Sequence, residues 1–347
     1  MGARSLLGLD IGSRFVKAVE LSESKGSLAL TGYGMAEIPT PEATPDVVRD
    51  VLAHGGFRSK QTVTAVSGRS VIVRYITHAR VPDEELPASM KYEIGKYIPF
   101  EPDDCYIDFQ KLEEPGGGAP PEGGAAAGEM RVLLVAVKKE YIDEHVGLLE
   151  KLGLRPNIVD VDSFALGNAF EVRSVMNPAA VGDKVVALVD IGANKTNITI
   201  MKPASSYYFT REIYVAGNDF TEAIARKIGA DSAAAEGVKR AQSDRVEEMK
   251  EAVSSLLEDL CHEIHLSFDY FETQFEREVD DIYVSGGGSR LTAIEEVFQR
   301  TFAKSPVRWN PTEFIPVQND RINPAELAES SSQLAIAVGL ASRIRKD

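Results

Sequence analysis

Cysteine is almost missing from this chain of 347 residues, with Cys105 and Cys261 the only two. Neither stands at metal-ligand spacing from another cysteine or a histidine, which excludes a cysteine-built metal site, and usage this sparse fits a reducing compartment. Histidine is scarce too, five in all; His262 and His265 fall off the apolar stripe of their helix and read as exposed. No apolar run approaches the roughly 18 residues that a membrane-spanning helix needs, and the opening MGARSLLGLD meets Asp10 too early for a signal peptide. The expectation is a cytoplasmic protein that reaches a membrane only through partners. Excess positive charge is also lacking: 53 acidic residues stand against 38 basic ones, a net −15. Such a surface repels nucleic acid and anionic lipid, so no nucleic-acid partner is expected.

What the sequence does have is an apolar content of 44%, over a length that suits two lobes better than one small core. The stretch LLGLDIGSRFVKAVEL, residues 6–21, reads as a buried strand, a tight turn carrying Asp10, Gly12 and Ser13, and a second strand starting near Phe15. Gly12 can take backbone angles closed to other residues, so the turn can present amides to an anion while Asp10 faces a metal. An ordinary hairpin turn is the alternative for this segment alone. VVALVDIGANKTNITIM, residues 185–201, repeats the layout with Asp190, Gly192 and a strand alternating Thr196, Ile198 and Ile200. Two such hairpins suggest a duplicated pair of domains facing one cleft. In DIYVSGGGSRL, residues 281–291, a strand runs into Gly286, Gly287 and Gly288, where bare backbone permits close approach of a nucleotide.

Four parts are expected. Residues 1–78 and 156–184 form the core of the first lobe, with strands at 61–67 and 70–78. Residues 79–155 form an inserted subdomain, whose low-complexity stretch 114–128, EPGGGAPPEGGAAAG, cannot bury a core. Residues 185–217 and 280–347 form the core of the second lobe, closed by one helix from Ser331 to Ile344 whose Ala335, Ala337 and Gly339 permit tight packing. Residues 218–279 form a helical subdomain around a long helix with Met249, Val253, Leu257, Leu260 and Ile264 on one stripe.

The order of the two Asp-x-Gly hairpins and the strand-Gly-Gly element resembles the superfamily of actin, the heat-shock chaperone ATPases and FtsA. Asp10, Gly12, Ser13 and Lys17 are similar to actin's first phosphate loop, which implies that Lys17 reaches the phosphates. VAGNDFT, residues 215–221 with Gly217, resembles the turn after the second hairpin of the chaperones, and Glu236, Lys239 and Arg240 match the spacing with which they contact adenosine. A solvated helix face with Glu–Lys pairing is the alternative. Ala193 and Asn194 depart from actin, which has Asp and Gly there, so one carboxylate near magnesium is lost while Gly192 and the Thr196 hydroxyl remain. Gly286, Gly287, Gly288 and Arg290 complete the implied nucleotide contacts, with Asp10 and Asp190 on Mg2+ through water. Asp162 falls nearest to the place where relatives orient the attacking water; helix capping is the alternative. A side chain one methylene shorter than Glu implies at most slow ATPase activity.

Within the superfamily, GLDIGS at 8–13, KYEIGKYIPFEPDDCYIDF at 91–109 and SQLAIAVGLASR at 332–343 resemble the PilM family of type IV pilus assembly. The resemblance implies an α/β, actin-like (ribonuclease H-like) two-lobed ATPase fold with an FtsA/PilM-type inserted subdomain, binding ATP or ADP with Mg2+. It further implies a cytoplasmic adaptor, peripheral at the inner membrane, that binds the N-terminal cytoplasmic peptide of PilN. The pilus motor ATPases and the platform protein are implied as further contacts, and nucleotide state as a control on pilus biogenesis and twitching motility. An FtsA- or MreB-like filament protein and a small-molecule kinase on the same core are the alternatives.

Overall fold

The structure is a computed structural model describing residues 4–112, 128–205, 208–241 and 245–345. The expected low-complexity excursion at 114–128 lies outside the described residues except for Gly128.

The first lobe begins as an antiparallel meander of β1 (Arg4–Ile11), β2 (Phe15–Ser24) and β3 (Ser27–Glu37). Helix α1 (Thr44–His54) follows, with a proline in its first turn and Val48 and Val51 on its buried face. β4 (Gln61–Val66) then pairs parallel with β1. β5 (Val71–Ala79), α2 (Leu86–Glu93), β6 (Cys105–Leu112) and β7 (Glu129–Lys138) make a separate three-stranded sheet, in the order β5-β7-β6, with its own small core around Met90, Ile94 and Leu134. The expected boundary at residue 78 is therefore corrected, because β5 belongs to the inserted subdomain. Alternation marks a strand without naming its sheet; the switch is made at Gly68, whose φ of 83° turns the chain out of the first lobe between β4 and β5. α3 (Lys139–Lys151) returns the chain to β8 (Arg155–Val161), which completes a sheet of order β3-β2-β1-β4-β8.

After α4 (Asp162–Met176) and α5 (Pro178–Val181), the second lobe repeats the plan with β9 (Val186–Ile191), β10 (Thr196–Met201) and β11 (Tyr208–Ile213). Both β9 and β10 are buried along their whole length, which is why they read as apolar runs. Helices α6 (Gly217–Ile228), α7 (Ser232–Ala241) and α8 (Val246–Phe275) precede β12 (Asp281–Ser285), α9 (Ala293–Phe302) and β13 (Val307–Arg308). The second sheet runs β11-β10-β9-β12-β13, the strand order of the first sheet over again, as the repeated hairpins lead one to expect.

The chain then passes through α10 (Pro324–Ser330) to α11 (Ala335–Ala341). The expected closing helix is only half α-helical, since Ser331–Gln333 and Ser342–Arg345 are 3₁₀ turns on either side of α11. Nor does it belong to the second lobe alone. α11 lies against β1 and α4, where a Cβ on Gly339 would overlap the Ala165 carbonyl oxygen and one on Gly8 would overlap that of Ala337. The small residues therefore do permit tight packing, as expected near the junction of the lobes, with the closest approaches made to β1 and α4. Together α4 and α11 form a helical layer between the sheets, in a core joining Val19, Leu21 and Val63 of one lobe to Val186, Leu188 and Tyr283 of the other. Phe170 sits at its centre, edge-on to Tyr283 and Trp309 with ring centroids 4.8 and 5.3 Å away.

Candidate nucleotide cleft

The two hairpin turns are built alike. In the first, the Gly12 N–H donates to the Phe15 carbonyl at 3.0 Å; in the second, the Gly192 N–H donates to the Lys195 carbonyl, also at 3.0 Å. A Cβ at either glycine would press on that carbonyl, at 3.0 and 2.8 Å, so glycine is required by the turn itself. The expectation that Gly12 takes backbone angles closed to other residues is corrected, because its φ is not positive; its own N–H closes the hairpin and is not among the amides the turn can offer. Strand register sets Asp10 opposite Lys17 and Asp190 opposite Asn197.

Both turns face a cleft between the lobes of about 1150 Å³. The structure brings together there every residue expected from sequence except one. Thr196 is fully buried and its hydroxyl donates to the Val215 carbonyl at 2.7 Å. It braces the approach to α6 and does not face the cleft, because strand alternation turns it inward.

Beside the two turns, Lys17 Nζ lies 2.6 Å from Asp10 Oδ2. Burial alone would depress that ammonium, but Asp10, Asp190 and Asp162 outweigh it and raise its pKa. Asp190 is 9% exposed; burial lifts its carboxyl to about 6, against a 2.8 Å hydrogen bond from Ser285 Oγ to Oδ1 and the Lys17 charge. Asp162 is not a cap: α4 is capped at Val161 with no side-chain hydrogen bond, and Asp162 Oδ2 instead meets Lys195 Nζ at 2.6 Å and Asn197 Nδ2 at 3.2 Å. Its Oδ1 is buried without a hydrogen-bond partner.

The three glycines divide their work. A Cβ on Gly286, whose φ is 83°, would overlap the Ile191 carbonyl, and one on Gly288 would overlap the Ile191 side chain. Gly287 is exposed to the cleft, and a Cβ there would meet only the Gln333 amide at 3.5 Å. Arg290 lines the same rim, 3.8 Å from Glu329.

The second turn is fastened to α6 by hydrogen bonds from the Gly217 N–H to Gly192 O (3.0 Å), from the Asn218 N–H to Ala193 O (2.8 Å) and from Asn218 Nδ2 to Asn194 Oδ1 (2.6 Å). Lys239 Nζ donates to Gly217 O at 2.8 Å and lies 2.7 Å from Glu236. Glu236 is no solvated helix face. It is 8% exposed and meets Thr221 Oγ1 at 2.7 Å, Arg240 Nε at 2.9 Å and Arg14 Nη1 at 3.1 Å. Burial would raise its pKa, but Lys239, Thr221 and Arg14 hold it down at about 2.

Sequence reasoning missed Arg14, Lys195 and Glu212. Arg14 crosses from the first turn to Glu236 and also meets Glu37 at 3.0 Å. Lys195 Nζ lies 2.6 Å from both Asp162 and Glu212. Each basic residue sits inside an Asp-x-Gly turn, and that position was the available signal. Glu212 had none, since it is a strand residue distant in sequence from both turns.

Beside the two turns, the carboxylates of Asp10, Asp162, Asp190 and Glu212 outnumber the ammoniums of Lys17 and Lys195, four to two. Among the described residues no three His, Cys, Asp or Glu side chains are grouped to hold a metal ion directly. A surplus of carboxylate with the orphaned Asp162 Oδ1 fits a hydrated divalent cation accompanying a polyanion.

Two lobes of equal strand order, hinged on a helical layer with paired Asp-x-Gly turns across the cleft, define a protein of the actin-like ATPase fold. Solved structures share it. EutJ, the ethanolamine utilization protein from Carboxydothermus hydrogenoformans, is 14% identical with a TM-score of 0.54, over 99% of this chain and 90% of its own. MreB5 of Spiroplasma citri is 12% identical with a TM-score of 0.52, over 99% and 97%. A chain of the PilM-PilN type IV pilus biogenesis complex is 29% identical with a TM-score of 0.82, over 97% of this chain and 98% of that one. The family model of the type IV pilus assembly protein PilM matches residues 8–345, and the chain belongs to that family. Among its described residues no helix is long and apolar enough to cross a membrane.

Proposed function

We propose that this chain is a nucleotide-binding adaptor of the type IV pilus assembly platform. Its cleft takes ATP or ADP with Mg2+, and its first lobe with the inserted subdomain holds the N-terminal cytoplasmic tail of PilN. The pilus motor ATPases and the platform protein are further contacts, and the protein sits in the cytoplasm at the inner membrane through these partners. The observation that carries the reading is the meeting of Asp10, Lys17, Asp190 and Gly287 in one interlobe cleft. The likeness to a chain of the PilM-PilN type IV pilus biogenesis complex supports the choice of partner, and the ADP-bound MreB5 supports a nucleotide in a fold of this kind.

A bound Mg–nucleotide supplies a compact negative charge carrying its own cation. Lys17 would meet that charge, while Asp10 and Asp190 would hold the cation through its waters. Gly287 leaves room for backbone approach, and Glu236, Lys239 and Arg240 form the adenosine side. Asp162 is one methylene shorter than a Glu at that place and leaves an attacking water less well held, so turnover is slow at most, and nucleotide state rather than flux sets lobe closure and the control of pilus biogenesis and twitching motility. Calorimetry with ATP and with ADP, with and without Mg2+, tests the site: binding that needs Mg2+ and is abolished in Asp10→Ala supports it, and no heat from folded wild type ends it. A PilN-tail peptide that fails to bind at micromolar concentration ends the partner assignment.

A further inference from the structure

Lys195 is the one cation in the turn of the second hairpin, and its ammonium is fully engaged. It donates to Asp162 Oδ2 and Glu212 Oε1, each at 2.6 Å, and to Asn197 Oδ1 at 3.2 Å, which accounts for its three hydrogens. Burial would lower its pKa, but Asp162 and Glu212 more than offset this, so it stays charged. The Glu212 oxygen it holds is also the acceptor of the Gly68 N–H, at 2.9 Å. Gly68 lies in the turn where the chain leaves the first lobe for β5 of the inserted subdomain. The other Glu212 oxygen accepts from the Tyr214 hydroxyl at 2.9 Å, and the Arg69 guanidinium stands 5.4 Å from the Tyr214 ring centroid. One lysine in the cleft is thus two hydrogen bonds from the joint of the inserted subdomain.

We infer that Lys195 distinguishes a nucleoside triphosphate from a diphosphate and relays the difference to the inserted subdomain through Glu212 and Gly68. The inference rests on the nucleotide reading of the cleft. Lys17 is paired with Asp10, whereas Lys195 lines the same cleft on the side of Asp162. A γ-phosphate carries more negative charge than either carboxylate and competes for the ammonium; a diphosphate ends one phosphate short of it, so its own terminal charge stays nearer Lys17. When Lys195 is drawn away, Glu212 is left as a partly buried charge without its cation. Its side chain, 21% exposed, then turns toward solvent, and the Gly68 N–H loses its acceptor. By linkage, a partner that prefers the released subdomain tightens triphosphate binding by the same factor.

The test uses the full chain with Mg2+, ADP and a non-hydrolysable ATP analogue, in wild type, Lys195→Met and Glu212→Gln. Calorimetry gives the affinity ratio, and hydrogen exchange reads the Gly68 amide. Wild type is expected to favour the triphosphate by about tenfold, within the usual span of such couplings, and to exchange faster at Gly68 with the triphosphate than with ADP. Lys195→Met loses the preference, read as the ratio of its own two affinities, and Gly68 no longer responds. Glu212→Gln keeps the preference and loses the response, and the double variant guards against a fold upset by two unneutralised carboxylates. A Lys195→Met protein that retains the ratio, or a wild-type Gly68 amide indifferent to which nucleotide is bound, overturns the inference and leaves the nucleotide site standing. Wild type that binds neither nucleotide ends both.

Discussion

Asp190 shows at the scale of one residue what the cleft does to the fold. Its carboxyl is lifted to about 6 by burial, roughly two units above an ordinary aspartate, or at most about 3 kcal/mol. Because its folded pKa lies above the unfolded one, its stabilising contribution is complete below about pH 4 and is lost as the pH climbs through 6. Asp190→Asn should therefore raise ligand-free stability by about 1–3 kcal/mol near pH 8 and by nothing near pH 4, with urea melts at both pH values as the check, while Mg–nucleotide affinity falls. The glycine triplet gives a sharper contrast. Gly286→Ala forces a side chain into the Ile191 carbonyl at a φ of 83° and should cost about 3 kcal/mol or more. Gly287→Ala should leave the melting temperature unchanged and weaken only nucleotide binding. From sequence the three were equivalent; the neighbour that separates them, Ile191, is brought in by the parallel pairing of β12 with β9.

At the scale of elements, α11 is the piece most tightly fitted. β1 touches it through Gly8 and α4 through the Ala165 carbonyl facing Gly339. Gly339→Val and Gly8→Ala should each lower stability by about 2–3 kcal/mol. Because both push the same helix off its seat, the double variant should fall well short of their sum; full additivity in thermal or urea melts would show that the two contacts are separate. Strands and helices were largely readable along this chain, since the alternation of β10 and the long stripe of α8 are local patterns. Their destinations were not. The sheet that β5 joins and the lobe that α11 covers depend on Gly68 and on backbone-to-backbone distances that no local period encodes.

Across the whole molecule, the repeated Asp-x-Gly pattern was enough to announce two like lobes, and the identical strand order of the two sheets confirms it. The contacts that hold the lobes at their present angle were invisible, because they join side chains far apart in sequence. Arg14 and Glu37 of the first lobe interlock with Glu236 and Arg240 of the second, at 2.9 to 3.4 Å across the gap and within each side. Arg14→Ala with Arg240→Ala should open the cleft, seen as a larger radius of gyration in solution scattering and as faster release of bound ADP. The loss of overall stability should be about 1 kcal/mol, since these ion pairs are partly exposed. Unchanged scattering would place the control of lobe angle in the α4–α11 layer alone.

That layer also sets a timetable. The inner face of the β1–β2 sheet is sealed by residues 335–341, made some three hundred positions later on the ribosome. Until that segment has left the exit tunnel, Val19, Leu21 and Val63 face water, and the amino-terminal half cannot settle as an independent unit. Nascent chains of this protein should thus depend on chaperones until residues 335–341 have been made, a burden that follows from where one seven-residue helix comes to rest.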